Sequence, residues 1–187
     1  MNFIKNNKYV LSLVLGIVAV ALLIPSITGT IDGIQTYKNY EVETKYLTKL
    51  YFTLAEYICI FFAEILFIAI GVRKTLESHL VIGASVLYYA SISASAIYSI
   101  VVEDSYSTIF YLAIEVLCLV TTILAITKPR YLFTAIVLII VDAAFNLSKT
   151  FAGSTLAFSE LLLSILLIFA LYFACKKAYE VDYDQYS

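Results

Sequence analysis

The stretch LAEYICIFFAEILFIAIGVRK, residues Leu54–Lys74, decides how this chain folds. It is long enough to cross a bilayer, because a spanning helix needs about 20 mostly apolar residues. It carries two glutamates and ends in a basic pair. Two later runs repeat this plan, LAIEVLCLVTTILAITKPR (Leu112–Arg130) and FSELLLSILLIFALYFACKK (Phe158–Lys177). Each has a glutamate near its start and positive charge at its end, so the chain is predicted to cross a membrane several times.

The composition argues against a water-soluble domain. Of the 187 residues, 62 % are apolar and the mean hydropathy is +0.93, whereas soluble domains are about 45–50 % apolar. The 14 % of charged residues cannot cover a soluble surface, but lipid solvates outward-facing apolar side chains. The net charge of −2 gives no reason to expect a nucleic-acid partner. We therefore predict one integral membrane domain over residues 1–187.

Six apolar runs predict an all-α, polytopic transmembrane bundle of six spans. The predicted spans are residues 9–31, 51–72, 80–102, 108–127, 131–148 and 155–175. The polar outer loop 32–50 is either a surface helix or the leading turns of the second span, since periodicity does not decide. The remaining connections are short, which makes consecutive helices antiparallel neighbours. The first run also has features of a signal peptide, but its length and the lack of an A-x-A-like site favour retention.

Basic residues predict the orientation, because cytoplasmic connections are enriched in Lys and Arg. With the N-terminus in the cytoplasm, eight basic residues lie inside: Lys5, Lys8, Arg73, Lys74, Lys128, Arg130, Lys176 and Lys177. Four lie outside: Lys38, Lys45, Lys49 and Lys149. We therefore predict that both the N- and C-termini, including the tail 176–187, are cytoplasmic, and that the protein is a multi-pass protein of the cell membrane.

Five carboxylates inside the predicted spans are the main functional signal, because ionisable groups in hydrocarbon are costly and usually functional. With a 1.5 Å rise per residue, Glu64 lies about 13 Å from Arg73, near the midplane. Counted from the basic residue at the inner end of each span, the other four lie about 18–25 Å deep, in the outer half of a core about 30 Å thick. These four are Glu56, Glu115, Asp142 and Glu160.

The fifth span carries a polar stripe, since Asp142, Asn146 and Lys149 follow at i, i+4 and i+7 on one helix face. This stripe either pairs Asp142 with Lys149 or lines a wet cavity open to the outside. Alternatives remain for the glutamates as well. Glu56 and Glu160 are close enough to the interface to reach water by snorkelling, and Glu64 must be protonated, paired or hydrated. A neutral hydrogen bond between helices would also satisfy Glu64.

Tyrosines and small residues surround these acids in the sequence. Five tyrosines lie deep or beside the acidic positions and are predicted hydrogen-bond donors: Tyr57, Tyr88, Tyr89, Tyr98 and Tyr111. The third span repeats Ser91, Ser95 and Ser99 among alanines, a spacing that favours close helix packing.

No motif in the sequence indicates an enzyme or a cofactor. There is no nucleophile elbow, no H-E-x-x-H and no Walker loop. The three cysteines form no C-x-x-C pair and are predicted to be apolar filler. We therefore expect a non-catalytic protein without a cofactor, and the sequence leaves open whether the acids serve a metal.

The leading hypothesis is a small transport or solute-binding protein with an outward-facing acidic pocket for a cation or an amine-bearing solute. Its lining would be Glu56, Glu115, Asp142, Asn146 and Glu160, with Glu64 as the floor and a candidate for proton coupling. The alternative is an accessory, scaffold or immunity-type subunit of a larger membrane complex. Besides the lipid bilayer, the sequence permits a membrane-protein partner or a homo-oligomer.

Overall fold

The described residues form six α-helices and no strand. The computed structural model describes residues 2–40, 44–106, 108–150 and 155–186, and it describes their side chains except at 2–6, 146, 148–150 and 176–186. The helices are α1 (Asn2–Asn39), α2 (Thr44–Arg73), α3 (Ser78–Glu103), α4 (Thr108–Thr127), α5 (Leu132–Thr150) and α6 (Thr155–Tyr186), and a 3₁₀ turn over Pro129–Tyr131 precedes α5. The predicted all-α class is confirmed.

Five of the helices are long and apolar enough to cross a membrane. Within the described part of the chain they are Asn7–Asn39, Thr44–Arg73, Ser78–Glu103, Thr108–Thr127 and Thr155–Cys175. Many large apolar side chains on their outer faces are exposed, among them Ile17, Phe62 and Leu117. Such faces are unsuited to water and suited to lipid, so the chain has the character of a multi-pass membrane protein.

The polar stretch 32–50 is helical at both ends. Helix α1 continues to Asn39 and α2 begins at Thr44, so the second alternative, leading turns of the second span, describes residues 44–50. No proline follows Pro25 in this region to end α1 early. The start of α2 is tied to the end of α3 by an ion pair between Lys49 Nζ and a Glu103 carboxylate oxygen, 2.7 Å apart. Likewise, α6 runs through most of the predicted tail, to Tyr186.

Helices α1 and α2 approach closely because a glycine of α2 faces the backbone of α1. A Cβ atom added at Gly71 would lie 2.7 Å from the backbone nitrogen of Leu13 and 2.8 Å from the carbonyl oxygen of Tyr9. Nearby, the Ser12 hydroxyl donates a 2.7 Å hydrogen bond to the carbonyl oxygen of Phe67. Small residues allow this kind of backbone contact between membrane helices, and the contact fixes α2, which carries Glu64, against α1.

Helix α6 is the centre of the bundle. The other helices contact one another in chain order, whereas α6 packs against all five of them. Its buried face supplies Leu163, Leu167 and Leu171 to the core, all with no exposed surface. Because α6 touches every other helix, its polar residues can meet side chains from any of them.

The two ends of the bundle differ in charge. We call the end that carries Lys8, the α2–α3 connection with Arg73 and Lys74, and the α4–α5 connection the basic end. The opposite end, where α3 and α4 are joined through Asp104, is called the far end. The predicted spans place most of the interior carboxylates toward the far end.

Candidate functional site

Glu64 is the most deeply buried acid. Its side chain on α2 has no exposed surface, and the hydroxyl of Ser159 on α6 donates a short hydrogen bond to its Oε1. The other oxygen, Oε2, is also buried and makes no hydrogen bond to any residue that the structure describes. Glu64 therefore has one fixed donor and one oxygen available for a proton or a ligand.

We expect Ser159→Ala to destabilise the protein by about 1–2 kcal/mol, because a buried carboxyl group loses its donor. Ser85→Ala is the matched control, since Ser85 is equally buried but donates within its own helix, to the carbonyl oxygen of Val81 at 2.8 Å. We expect that change to cost less than about 0.5 kcal/mol. Denaturant unfolding in mixed micelles measures both. Equal losses would contradict a special role for the Ser159 hydroxyl.

A second acid on α6 lies beside Glu64. Glu160 is 5 % exposed and interacts electrostatically with Glu64. Glu160 also interacts electrostatically with the hydroxyl of Tyr57. Glu56, the residue before Tyr57, does the same. Glu160 is thus coupled to Glu64 directly and to Glu56 through the hydroxyl of Tyr57.

Asp142 and Glu115 extend this cluster into α5 and α4. Both are buried, with 8 % and 7 % of their surface exposed. Asp142 interacts with the buried hydroxyls of Tyr88 and Tyr89 on α3, and Tyr88 also interacts with Glu160. Glu115 acts on Tyr89 as well. The hydroxyls of Tyr57, Tyr88 and Tyr89 therefore link four carboxylates, and the fifth, Glu64, interacts directly with Glu160. The five come from α2, α4, α5 and α6, and we call this set the acidic cluster: Glu56, Glu64, Glu115, Asp142 and Glu160.

A cleft between α2, α3 and α4 reaches the edge of this cluster. It has a volume of about 220 Å³, enough for several water molecules or a small solute. Glu56 and Glu115 lie in its walls, together with Ile92, Ser95, Ala96, Ser99, Thr108 and Tyr111. Ser99 and Thr108 belong to the ends of α3 and α4 that meet at the far end, so the cleft lies there.

The structure thus brings the predicted site residues together in part. Glu56 and Glu115 line the cleft, whereas Glu64, Asp142 and Glu160 are buried away from its lining. The side chains of Asn146 and Lys149 lie outside the described residues, so the predicted polar stripe on α5 is described only at Asp142. Of the predicted tyrosine donors, Tyr98 instead donates a 3.3 Å hydrogen bond to the carbonyl oxygen of Lys45.

The apolar runs of the chain from residue 50 onward contain no Lys, Arg or His: residues 50–72, 80–102, 108–127, 131–148 and 155–175. The described ion pairs, Lys49–Glu103 and His79–Glu77, lie at helix ends. Like charges in one site cannot all ionise together. The positive charge that balances the acidic cluster must therefore come from protons, a bound cation, or a basic residue at a helix end such as Lys149. Among the described residues, no group of three or more His, Cys, Asp or Glu side chains converges tightly enough to hold a metal ion.

Sequence reasoning missed Ser159 as the partner of Glu64. At 1.5 Å per residue, Glu64 lies about 13 Å from Arg73, whereas Ser159 lies about 25 Å from Lys176. The two side chains nevertheless share a hydrogen bond. The counting fails because it assumes that the basic residues of all helices lie at one level. Helix α6 continues to Tyr186, beyond its basic pair, so this pair does not mark the same level as Arg73, where α2 ends.

Comparison with protein-family models, with curated proteins and with solved structures finds no match to this chain.

Proposed function

We propose that this chain is a small, non-catalytic transport or solute-binding protein of the cell membrane, and that its acidic cluster takes a cation or an amine-bearing solute. One observation carries the proposal: four carboxylates are coupled through three tyrosines and a fifth, Glu64, is coupled to one of them, in spans that contain no basic residue. Keeping such groups in a membrane interior is costly. A bound cation or exchangeable protons would offset that cost.

The proposed topology has six spans with both termini in the cytoplasm. Helix α5 has 19 residues, which falls within the 17–25 residues of a spanning helix, and it completes the six. An even number of spans returns the chain to the side on which it began. The basic residues, eight on the proposed inner side and four on the outer, favour placing the basic end in the cytoplasm. The cleft at the far end then opens outward.

Within this proposal the acids have different roles. Glu56 and Glu115 in the cleft walls would attract a cation first. Glu64 lies deeper, with Oε2 available and Oε1 held by Ser159, so it would exchange a proton or bind the solute. Asp142 and Glu160 would supply the remaining charge, with Asn146 beside Asp142 on the same helix face.

The test is uptake into proteoliposomes with methylammonium, Na⁺ and K⁺ as probes. We expect Glu64→Gln and Asp142→Asn each to lower uptake of the transported probe by about tenfold or more, because a charge-assisted contact contributes about 1.5–3 kcal/mol. Glu103→Gln is the control, since Glu103 lies at a helix end, paired with Lys49 outside the acidic cluster. Transport and binding that survive both cluster substitutions would end the proposal.

A second candidate, an accessory, scaffold or immunity-type subunit, is favoured by the outer face of α3. Ala90 and Ala94, one turn apart, are exposed there, whereas Ala84 and Ala96 are buried inside the bundle. Exposed small residues at this spacing allow another membrane helix to approach. A stable partner lost on Ala90→Leu or Ala94→Leu, combined with full function of the carboxylate variants, would support this role over transport.

A further inference from the structure

A groove at the basic end is separate from the acidic cluster. It lies between α1, α2 and α6 and is lined almost wholly by apolar side chains, including Leu11, Leu15, Phe67 and Phe173. Its polar lining is Lys8, Tyr9 and Ser12. The Ser12 hydroxyl already donates a hydrogen bond to the carbonyl oxygen of Phe67. The groove therefore has an apolar body and, in Lys8, one cationic group.

Lys8 is held at one end of this groove by aromatic rings. Its Nζ lies 5.0 Å from the ring centre of Tyr9 and 5.1 Å from that of Phe173, within the range of a cation–π contact. Along α1 the lining runs from Lys8 to Leu15, about 10 Å. This is about a third of a hydrocarbon core 30 Å thick. With the basic end at a membrane surface, the groove would reach into the acyl region, with its charge at the surface end.

Two exposed basic residues lie at the same end, and the sequence carries others nearby. Leu76, in the α2–α3 connection, contributes to the lining, and Arg73 and Lys74 just before it are exposed. In sequence, Lys5 precedes Lys8, and Lys176 and Lys177 follow the α6 residues that line the groove. Basic pockets between membrane helices bind anionic lipid headgroups. A solute without an apolar tail would leave most of this lining unused.

We propose that the groove binds one anionic phospholipid, with an acyl chain along α1 and α6 and the headgroup phosphate at Lys8. The apolar lining accepts the chain, and the ammonium group of Lys8 selects the charge. This site does not depend on the acidic cluster or on any transported solute.

The test is binding of fluorescently labelled phosphatidylglycerol to the detergent-solubilised full chain, with unlabelled phosphatidylglycerol or phosphatidylcholine as competitors. We expect phosphatidylglycerol to compete at least about fivefold better, the effect of one lysine at an anionic headgroup. Lys8→Gln should remove most of this preference while retaining binding of the acyl chain. Lys49→Gln, at the far end, is the control and should change neither.

Leu11→Trp tests the apolar part of the groove. Leu11 is only partly buried, so the larger ring is tolerated by the fold, and a thermal unfolding curve checks this directly. We expect it to weaken binding of both lipids. Equal competition by the two lipids in the unchanged chain, or a preference that survives Lys8→Gln, overturns the proposal. So does a lipid-free dimer in sedimentation that Leu11→Trp dissociates, because a second copy would then occupy the groove.

Discussion

Gly71→Leu is expected to yield no folded protein, because the added side chain has no space between α1 and α2. Even a Cβ atom at Gly71 would lie 2.7 Å from both the backbone nitrogen and the Cβ of Leu13, and 2.8 Å from the carbonyl oxygen of Tyr9. Two of these three atoms belong to the backbone, so the clash cannot be relieved by a rotamer change. The whole of α1 would have to move away from α2.

The smaller change Gly71→Ala gives a quantity to measure. We expect it to lower the free energy of unfolding by about 1–3 kcal/mol, as overpacking does. Gly29→Ala is the matched control, because Gly29 lies in α1 with no atom within 4 Å of an added Cβ. It should leave stability unchanged or raise it by up to about 1 kcal/mol. Unfolding of both variants in mixed micelles provides the comparison, and a Gly71→Ala protein as stable as the Gly29→Ala protein would contradict the close contact.

Leu167→Ala should destabilise the protein by about 2–5 kcal/mol, the usual cost of a cavity in a packed core. Leu167 has no exposed surface and lies on α6, the helix that contacts all the others. Because the side chain is fully buried, lipid cannot fill the cavity that the substitution leaves. Thermal or denaturant unfolding of the purified protein measures the effect.

Leu117→Ala is the control for this prediction. Leu117 on α4 is 50 % exposed on the outer surface of the bundle, where lipid can fill the space left by the missing methyl groups. We expect a loss below about 1 kcal/mol. A larger loss for Leu117 than for Leu167 would mean that α4, and not α6, carries the buried face.

Much of the fold could be predicted because the bilayer imposes helix lengths. The apolar runs at 80–102 and 108–127 predict α3 and α4 within a few residues of Ser78–Glu103 and Thr108–Thr127. The bounds of α1 were harder to predict. Hydropathy falls after Ile31, but the helix continues to Asn39, because polarity ends a membrane span without ending a helix.

The site could be predicted in kind but not in its contacts. A carboxylate in an apolar run is visible in the sequence, so Glu64 and Glu115 could be recognised, and Tyr57, Tyr88 and Tyr89 could be recognised as neighbours of the acids. That these tyrosines donate hydrogen bonds to the acids stays a prediction. The contact between Ser159 and Glu64 depends on the axial offset between α6 and α2. No local sequence pattern determines that offset. When depth is counted from the basic residue at the inner end of each helix, these two side chains differ in depth by about 12 Å.

The bond between Ser159 and Glu64 also has a consequence for biogenesis, since it joins positions 95 residues apart. A ribosome adding about 5–20 residues per second needs about 5–20 s to make that stretch. During this interval the nascent chain presents Glu64 to the translocon before its donor has been synthesised. We therefore expect insertion of α2 to require that the carboxyl group be neutral or shielded by the insertion machinery, and the hydrogen bond to Ser159 to form only when α6 arrives.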